Sequence, residues 1–136
     1  MFAEGVGICI LVTFGLGSVC TAVSTGAQVG LWQVAVVWGF GLSLAIYTVG
    51  SVSGGHFNPA VSLAFALLRP EAFPLLHLPL YWIAQLLGAI AGACINLIIF
   101  NDFFKAQEIL GGYERGDKAS IMTVVGWAGV FPSPGG

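Results

Sequence analysis

The residues Ser53-Gly-Gly-His-Phe-Asn-Pro-Ala-Val61 concentrate hydrogen-bonding groups in a stretch without a single charge. Asn58 offers an amide NH2, which is a fixed pair of donors. Just upstream, Gly54, Gly55 and His56 can leave their carbonyls bare as a ladder of acceptors. Asn58-Pro59 also reads as a helix start, with Asn at the N-cap and Pro at the first helical position. The helix from Pro59 to Leu68 has about 10 residues, or about 15 Å, half of a bilayer core. Its first N–H groups lack helical partners, and its dipole places about half a positive charge there. Such an end repels cations. A water or hydroxyl held by Asn58 must turn its lone pairs toward the amide, which interrupts a proton-conducting chain of waters. A solute that both donates and accepts hydrogen bonds would pass along the ladder. The chemistry is recognition of neutral polar solutes, with no covalent step.

Elements that position such a site must keep a non-helical backbone at membrane depth. Ser51-Val-Ser-Gly-Gly-His-Phe57 breaks helical propensity with two glycines and two serines. Irregular backbone survives in a bilayer only when packed in protein or lining water. An uncharged loop followed by an uncharged half-length helix therefore predicts a re-entrant segment beside a water-lined cavity. The plain alternative for Asn58, Pro59 and Ala60 is an ordinary helix cap.

Three apolar runs flank this segment. The first, Ala3 to Val23, has about 21 residues, long enough to cross a core of about 30 Å. A polar break, Ser24-Thr25-Gly26-Ala27-Gln28, precedes a second run from near Leu31 to about Gly50. The third runs from Leu78 to Phe100. Small residues recur four apart in the second run (Ala35, Gly39, Ser43) and in the third (Ala84, Gly88, Gly92), a spacing that lets helices approach closely in lipid. From Asn101 the chain turns polar and reads as a long external loop with one short helix around Asp102 to Leu110.

Composition agrees. Of 136 residues, 57% are hydrophobic and only 7% are charged, with four Lys+Arg against six Asp+Glu. Mean hydropathy is +0.95. A soluble domain carries about a quarter charged residues, so a soluble globule and a disordered chain are both excluded. Four cations and a net charge of −2 argue against nucleic-acid binding. No charge occurs from Gly5 to Leu68, nor between Glu71 and Asp102. The opening Met1-Phe2-Ala3-Glu4 lacks the basic region of a signal peptide and is followed by further spans. Cys9, Cys20 and Cys94 sit in apolar runs without CxxC or Cys/His spacing, and read as small buried hydrophobes rather than metal ligands. No cofactor is implied.

Ser53-Gly-Gly-His-Phe-Asn-Pro-Ala-Val61 resembles the first signature motif of the major intrinsic protein family, the aquaporins and glycerol facilitators. The usual form is Ser-Gly-Ala-His-hydrophobic-Asn-Pro-Ala-Val, so Gly55 stands where Ala is usual. Ala3-Glu4 with Gly7, Gly15 and Gly17 resembles the family's first helix. Val37-Trp38-Gly39-Phe40-Gly41 resembles the second helix of glycerol facilitators, and Gln85 with Gly88 resembles the third. Gly129-Val-Phe131 and the Pro-rich end resemble the long loop before a fourth helix. The resemblance implies an all-α membrane protein, an aquaporin-like half of three transmembrane helices plus one re-entrant half-helix. Residues 1–100 would form the first repeat and 101–136 the following loop. Family members are roughly twice as long and carry two inverted repeats. Only one Asn-Pro-Ala is present here, and the filter arginine of the second half is absent. The expectation is a fragment, a truncated gene model, or a half-channel that needs a partner.

By the same resemblance, Asn58, Pro59 and Ala60 are pore residues, with Gly54, Gly55 and His56 contributing carbonyls. The His56 ring reads as packed and hydrogen-bonded, with proton relay as the alternative. Trp38 matches the filter aromatic of glycerol-type members, the alternative being a core or lipid-facing Trp. Phe57 and Leu42 are candidates for an oily wall. Glu4 matches the glutamate that braces the re-entrant loop, the alternative being a solvated residue near the start. Arg69 and His77 read as interfacial.

The function implied is passive permeation of water and small neutral solutes such as glycerol. The alternatives are a water-selective or metalloid/urea channel, and a non-conducting membrane subunit that associates with full-length channels. The resemblance also implies a homotetramer in the plasma membrane. It places Arg69 on the cytoplasmic side and 101–136 outside. The positive-inside rule points the other way, with one cation inside against Lys105, Arg115 and Lys118 outside. No acid other than Glu4 lies in the spans, no nucleophile adjoins a base, and no phosphate loop is visible, so no enzyme site is expected.

Overall fold

The computed structural model of the chain describes residues 1–117 except Val29. Gly129-Val-Phe131 and the Pro-rich end lie outside the described residues, as does Lys118. Helix α1 spans Phe2–Cys20 and passes into a π-helical turn, Thr21–Thr25. Helix α2 spans Leu31–Ser53, α3 spans Pro59–Leu68 and α4 spans Leu78–Gly111, with a single 3-10 turn, Leu75–His77, leading into α4. Three segments are long and apolar enough to cross a membrane: Phe2–Thr25, Leu31–Ser53 and Leu75–Gly111. Between the second and third lies the short apolar helix α3.

Several hydroxyls inside the spans are satisfied by local bonds. Thr13 Oγ1 donates to Cys9 O at 2.7 Å, Thr21 Oγ1 to Gly17 O at 2.8 Å and Thr48 Oγ1 to Leu44 O at 2.7 Å. Each returns one turn back to a helical carbonyl and needs no partner outside its own helix. The first span stops at Gly26, whose φ of 65° gives the left-handed end that helices favour.

Helix α1 packs on both α2 and α4, and α3 lies against α4. The α1–α4 contact is a backbone approach. A Cβ on Gly88 would come within 2.2 Å of Gly5 O, and one on Gly92 within 2.8 Å of Cys9 O. Asn96 Nδ2 donates across the same seam to Thr13 O at 3.2 Å. Ala84, Gly88 and Gly92 are therefore the contact stripe of the third run.

Two boundaries, one short helix and one stripe differ from the sequence reading. Helix α2 continues past Gly50 through Ser51-Val52-Ser53, so the non-helical stretch is shorter than the composition of 51–57 suggests. Helix α4 does not stop at Phe100. It runs unbroken to Gly111, about 51 Å over 34 residues, because no Gly or Pro lies between Phe100 and Gly111. The segment around Asp102 to Leu110 is its last turns rather than a separate helix in a loop. On α2, Ala35, Gly39 and Ser43 are exposed, and a Cβ on Gly39 meets nothing within 4 Å. The buried small face of α2 is instead Gly41, Ala45, Val49 and Ser53. Of the three cysteines only Cys20 is buried, and Cys94 is exposed.

Replacing Gly88 by Ala should lower the apparent unfolding temperature in detergent, since overpacking at a backbone contact costs roughly 1–3 kcal/mol. Gly39→Ala should leave it unchanged or raise it, because a Cβ there meets open space and Ala is the better helix former.

Candidate functional site

Four residues, Gly54 to Phe57, form the non-helical link between α2 and the N-cap of α3. Gly54 and Gly55 have φ of 82° and 64°, and Phe57 follows at 48°. A non-glycine residue in this region costs of order 1–3 kcal/mol and needs support from its surroundings. Two contacts supply it. The Phe57 N–H donates to Glu4 Oε1, a contact between residues 53 apart in sequence. The Phe57 ring, 6% exposed, packs with Ile8, Ala45 and Val49. A Cβ on Gly7 would come within 2.0 Å of that ring. Phe57, read from the sequence as a candidate for an oily wall, is buried here as an inward anchor of the loop. Its positive φ turns the side chain into the α1–α2 core.

Glu4 is fully buried, although it lies four residues from the start of the chain. Its Oε1 also accepts from Gln85 Nε2 at 2.9 Å. Gln85 Nε2 in turn donates to Ser62 Oγ at 3.0 Å, and the His56 ring meets the same hydroxyl through Nδ1 at 3.1 Å. The His56 ring stacks on Phe65 with centroids 4.7 Å apart and meets Phe73 edge-on at 4.7 Å. A polar chain thus runs from α1 through α4 to the first turn of α3, walled by aromatic rings.

Helix α4 also holds the two ends of the link. Tyr81 Oη donates to Ser53 O at 2.9 Å, at the end of α2. Trp82 Nε1 donates to Pro59 O at 3.0 Å, at the start of α3. Asn58 caps α3 in the expected way, its Oδ1 accepting from Ala60 N at 2.8 Å. The Asn58 side chain is exposed, and its Nδ2 has no partner among the described residues. Nor does any hydrogen bond reach the carbonyls of Gly54, Gly55 or His56 among the described residues. A free amide donor pair therefore follows a run of free acceptors.

Glu4, Gly54, Gly55, His56, Phe57, Asn58, Pro59 and Ala60 are brought together around this link. Trp38 and Leu42 are not part of it. Trp38 lies sixteen residues before Gly54 on α2, about 24 Å along the helix. Its ring rests over Gly15, where any Cβ would fall within 2.4 Å of it, and the residue is 38% exposed. Leu42, one turn further on, is also exposed. Ser62, Tyr81 and Trp82 escape the sequence reading, and Gln85 enters it only as a marker of the third helix. A buried amide inside an otherwise apolar span is itself a signal, since such groups are costly there without a partner. Among the described residues no cluster of three or more His, Cys, Asp or Glu side chains is placed to hold a metal ion.

Comparison with known proteins matches residues 1–126 to the family model described as Major intrinsic protein. The chain is 38% identical to the glycerol uptake facilitator protein of Pseudomonas aeruginosa, over 88% of this chain and 42% of the relative. It is 36% identical to the propanediol uptake facilitator PduF of Salmonella typhimurium, over 88% of this chain and 45% of the relative. It is 33% identical to the glycerol uptake facilitator protein of Haemophilus influenzae, over 96% of this chain and 48% of the relative. The chain spans about half the length of these relatives.

The buried polar chain carries a direct test. Gln85→Leu removes the donors to Glu4 and Ser62 while keeping similar bulk. It should cost about 1–3 kcal/mol, as expected for buried acceptors left unpaired. Thermal unfolding in detergent should show the loss, with Leu87→Ala on the exposed face of α4 as the near-neutral control.

Proposed function

The chain belongs to the major intrinsic protein family and is an integral membrane protein, and from that premise we propose that it forms part of the wall of a channel for water and small neutral solutes such as glycerol. The observation that carries this reading is the half-length helix α3. It is capped by an exposed Asn58 with a free Nδ2 and preceded by unpaired carbonyls, and it is held between two membrane spans. Free backbone acceptors and an amide donor are expensive in hydrocarbon and useful beside water.

The selection follows from local physics. A solute hydroxyl or water leaving its hydration shell finds acceptors at Gly54, Gly55 and His56, then donors at Asn58. A cation finds the positive end of α3 at the point where dehydration costs most. Trp38, at another depth of α2, sets a width and an apolar face for the carbon side of a polyol, with Leu42 beside it. Glu4 and the Phe57 ring hold the loop in register. The path closes against further polypeptide, and the assembly is a homotetramer in the plasma membrane. The names of relatives, two glycerol uptake facilitators and a propanediol uptake facilitator, support a polyol-type permeant.

Stopped-flow light scattering of proteoliposomes tests the reading. Both water and glycerol flux above empty vesicles are expected. Water flux alone would favour a water-selective pore, and neither would favour a non-conducting subunit. Trp38→Phe should reduce glycerol conduction more than water conduction, and equal losses would remove Trp38 from the filter.

A further inference from the structure

Two buried oxygens in the polar chain lack partners among the described residues: Glu4 Oε2 and Gln85 Oε1. They belong to side chains already joined by one bond, from Gln85 Nε2 to Glu4 Oε1. Both residues are at least 97% buried. Two buried acceptors on side chains that already touch need a donor. A carboxylic acid and a primary amide that share one N–H···O bond are complementary for a second, in which the acid O–H meets the amide carbonyl.

We infer that Glu4 carries a proton on Oε2 and forms a cyclic acid–amide pair with Gln85, so that a neutral acid, not a carboxylate, braces the re-entrant loop. One proton then satisfies both oxygens. Glu4 takes part in no ion pair among the described residues. The titratable groups that face it are already engaged: the His56 ring with Ser62 Oγ, and the Tyr81 hydroxyl with Ser53 O. A buried carboxylate in a membrane span, with no counter-charge among the described residues and one oxygen unpaired, is more costly than the acid. Gln85 is the positioning residue for that proton. Its Nε2 is fixed by Glu4 and Ser62 together, which leaves Oε1 as the amide's remaining group for the acid O–H.

The consequence for selectivity rests on the channel reading; the proton itself does not. A carboxylate behind the loop would offset the partial positive charge at the start of α3, about half a unit. A neutral acid leaves that barrier to cations intact while still accepting the Phe57 N–H.

Infrared spectroscopy of the protein in lipid decides the matter. The difference between wild type and Glu4→Gln in neutral buffer should show loss of one protonated carboxyl C=O band, which moves on isotopic labelling of glutamate. Glu4→Gln should also keep the wild-type unfolding temperature, because an amide supplies both the acceptor and the donor of the acid. Glu4→Ala should lower it. Loss of a carboxylate band instead would overturn the inference, as would a Glu4→Gln protein that unfolds as early as Glu4→Ala. If Glu4→Gln does not fold, the glutamate-labelled wild-type spectrum still decides, by the presence or absence of the acid band. A protein that shows the acid band but conducts neither water nor glycerol supports the proton and counts only against the channel reading.

Discussion

Irregular backbone inside a membrane is tolerable only where it is packed in protein or lines water, and here the protein's hold on it is the Phe57 N–H on Glu4 Oε1. Phe57 sits in a left-handed conformation that its side chain disfavours. The bond and the buried ring offset that cost together. With Phe57 fixed, Asn58 follows in extended conformation and α3 starts in a defined direction. Without it, the carbonyls of Gly54 to His56 would have no reason to stay unpaired.

That bond depends on how closely α1 and α4 approach. Glu4 lies on α1 and Gln85 on α4, and their meeting requires the Gly5–Gly88 backbone contact beside them. The same seam brings Tyr81 and Trp82 to the two ends of the link. Packing and function are thus joined at α4: its small face sets the distance and its polar face sets the loop. The order of causes runs from glycine spacing to helix approach to loop geometry, and from there to exposed hydrogen-bonding groups.

Much of this was readable from the chain because the signals are local. Asn58-Pro59 marks a helix start, and α3 begins there and ends at Leu68, as the half-length reading has it. The absence of charge around the half-helix marks it as apolar, and α3 is a short apolar helix between two candidate spans. Other features were not local. The turn of the Phe57 ring into the core follows from a positive φ, which no residue type at that position announces. The Glu4–Gln85 contact joins residues 81 apart and emerges only when α1 meets α4. At α4, polarity from Asn101 onward suggested a loop, but polar residues without a breaker continue the helix to Gly111. On α2, the small residues at 35, 39 and 43 and those at 41 and 45 compete for the contact face, and pattern alone does not choose between them.

The central claim is that the start of α3 faces an aqueous path. Cysteine accessibility tests it most directly, using Ala60→Cys in a protein whose Cys9, Cys20 and Cys94 have been replaced. A membrane-impermeant thiol reagent should modify the introduced cysteine in intact proteoliposomes, and the modification should block solute flux. A thiol that reacts only after the protein is dissolved in detergent would contradict the account, because the end of α3 would then be sealed within lipid or protein.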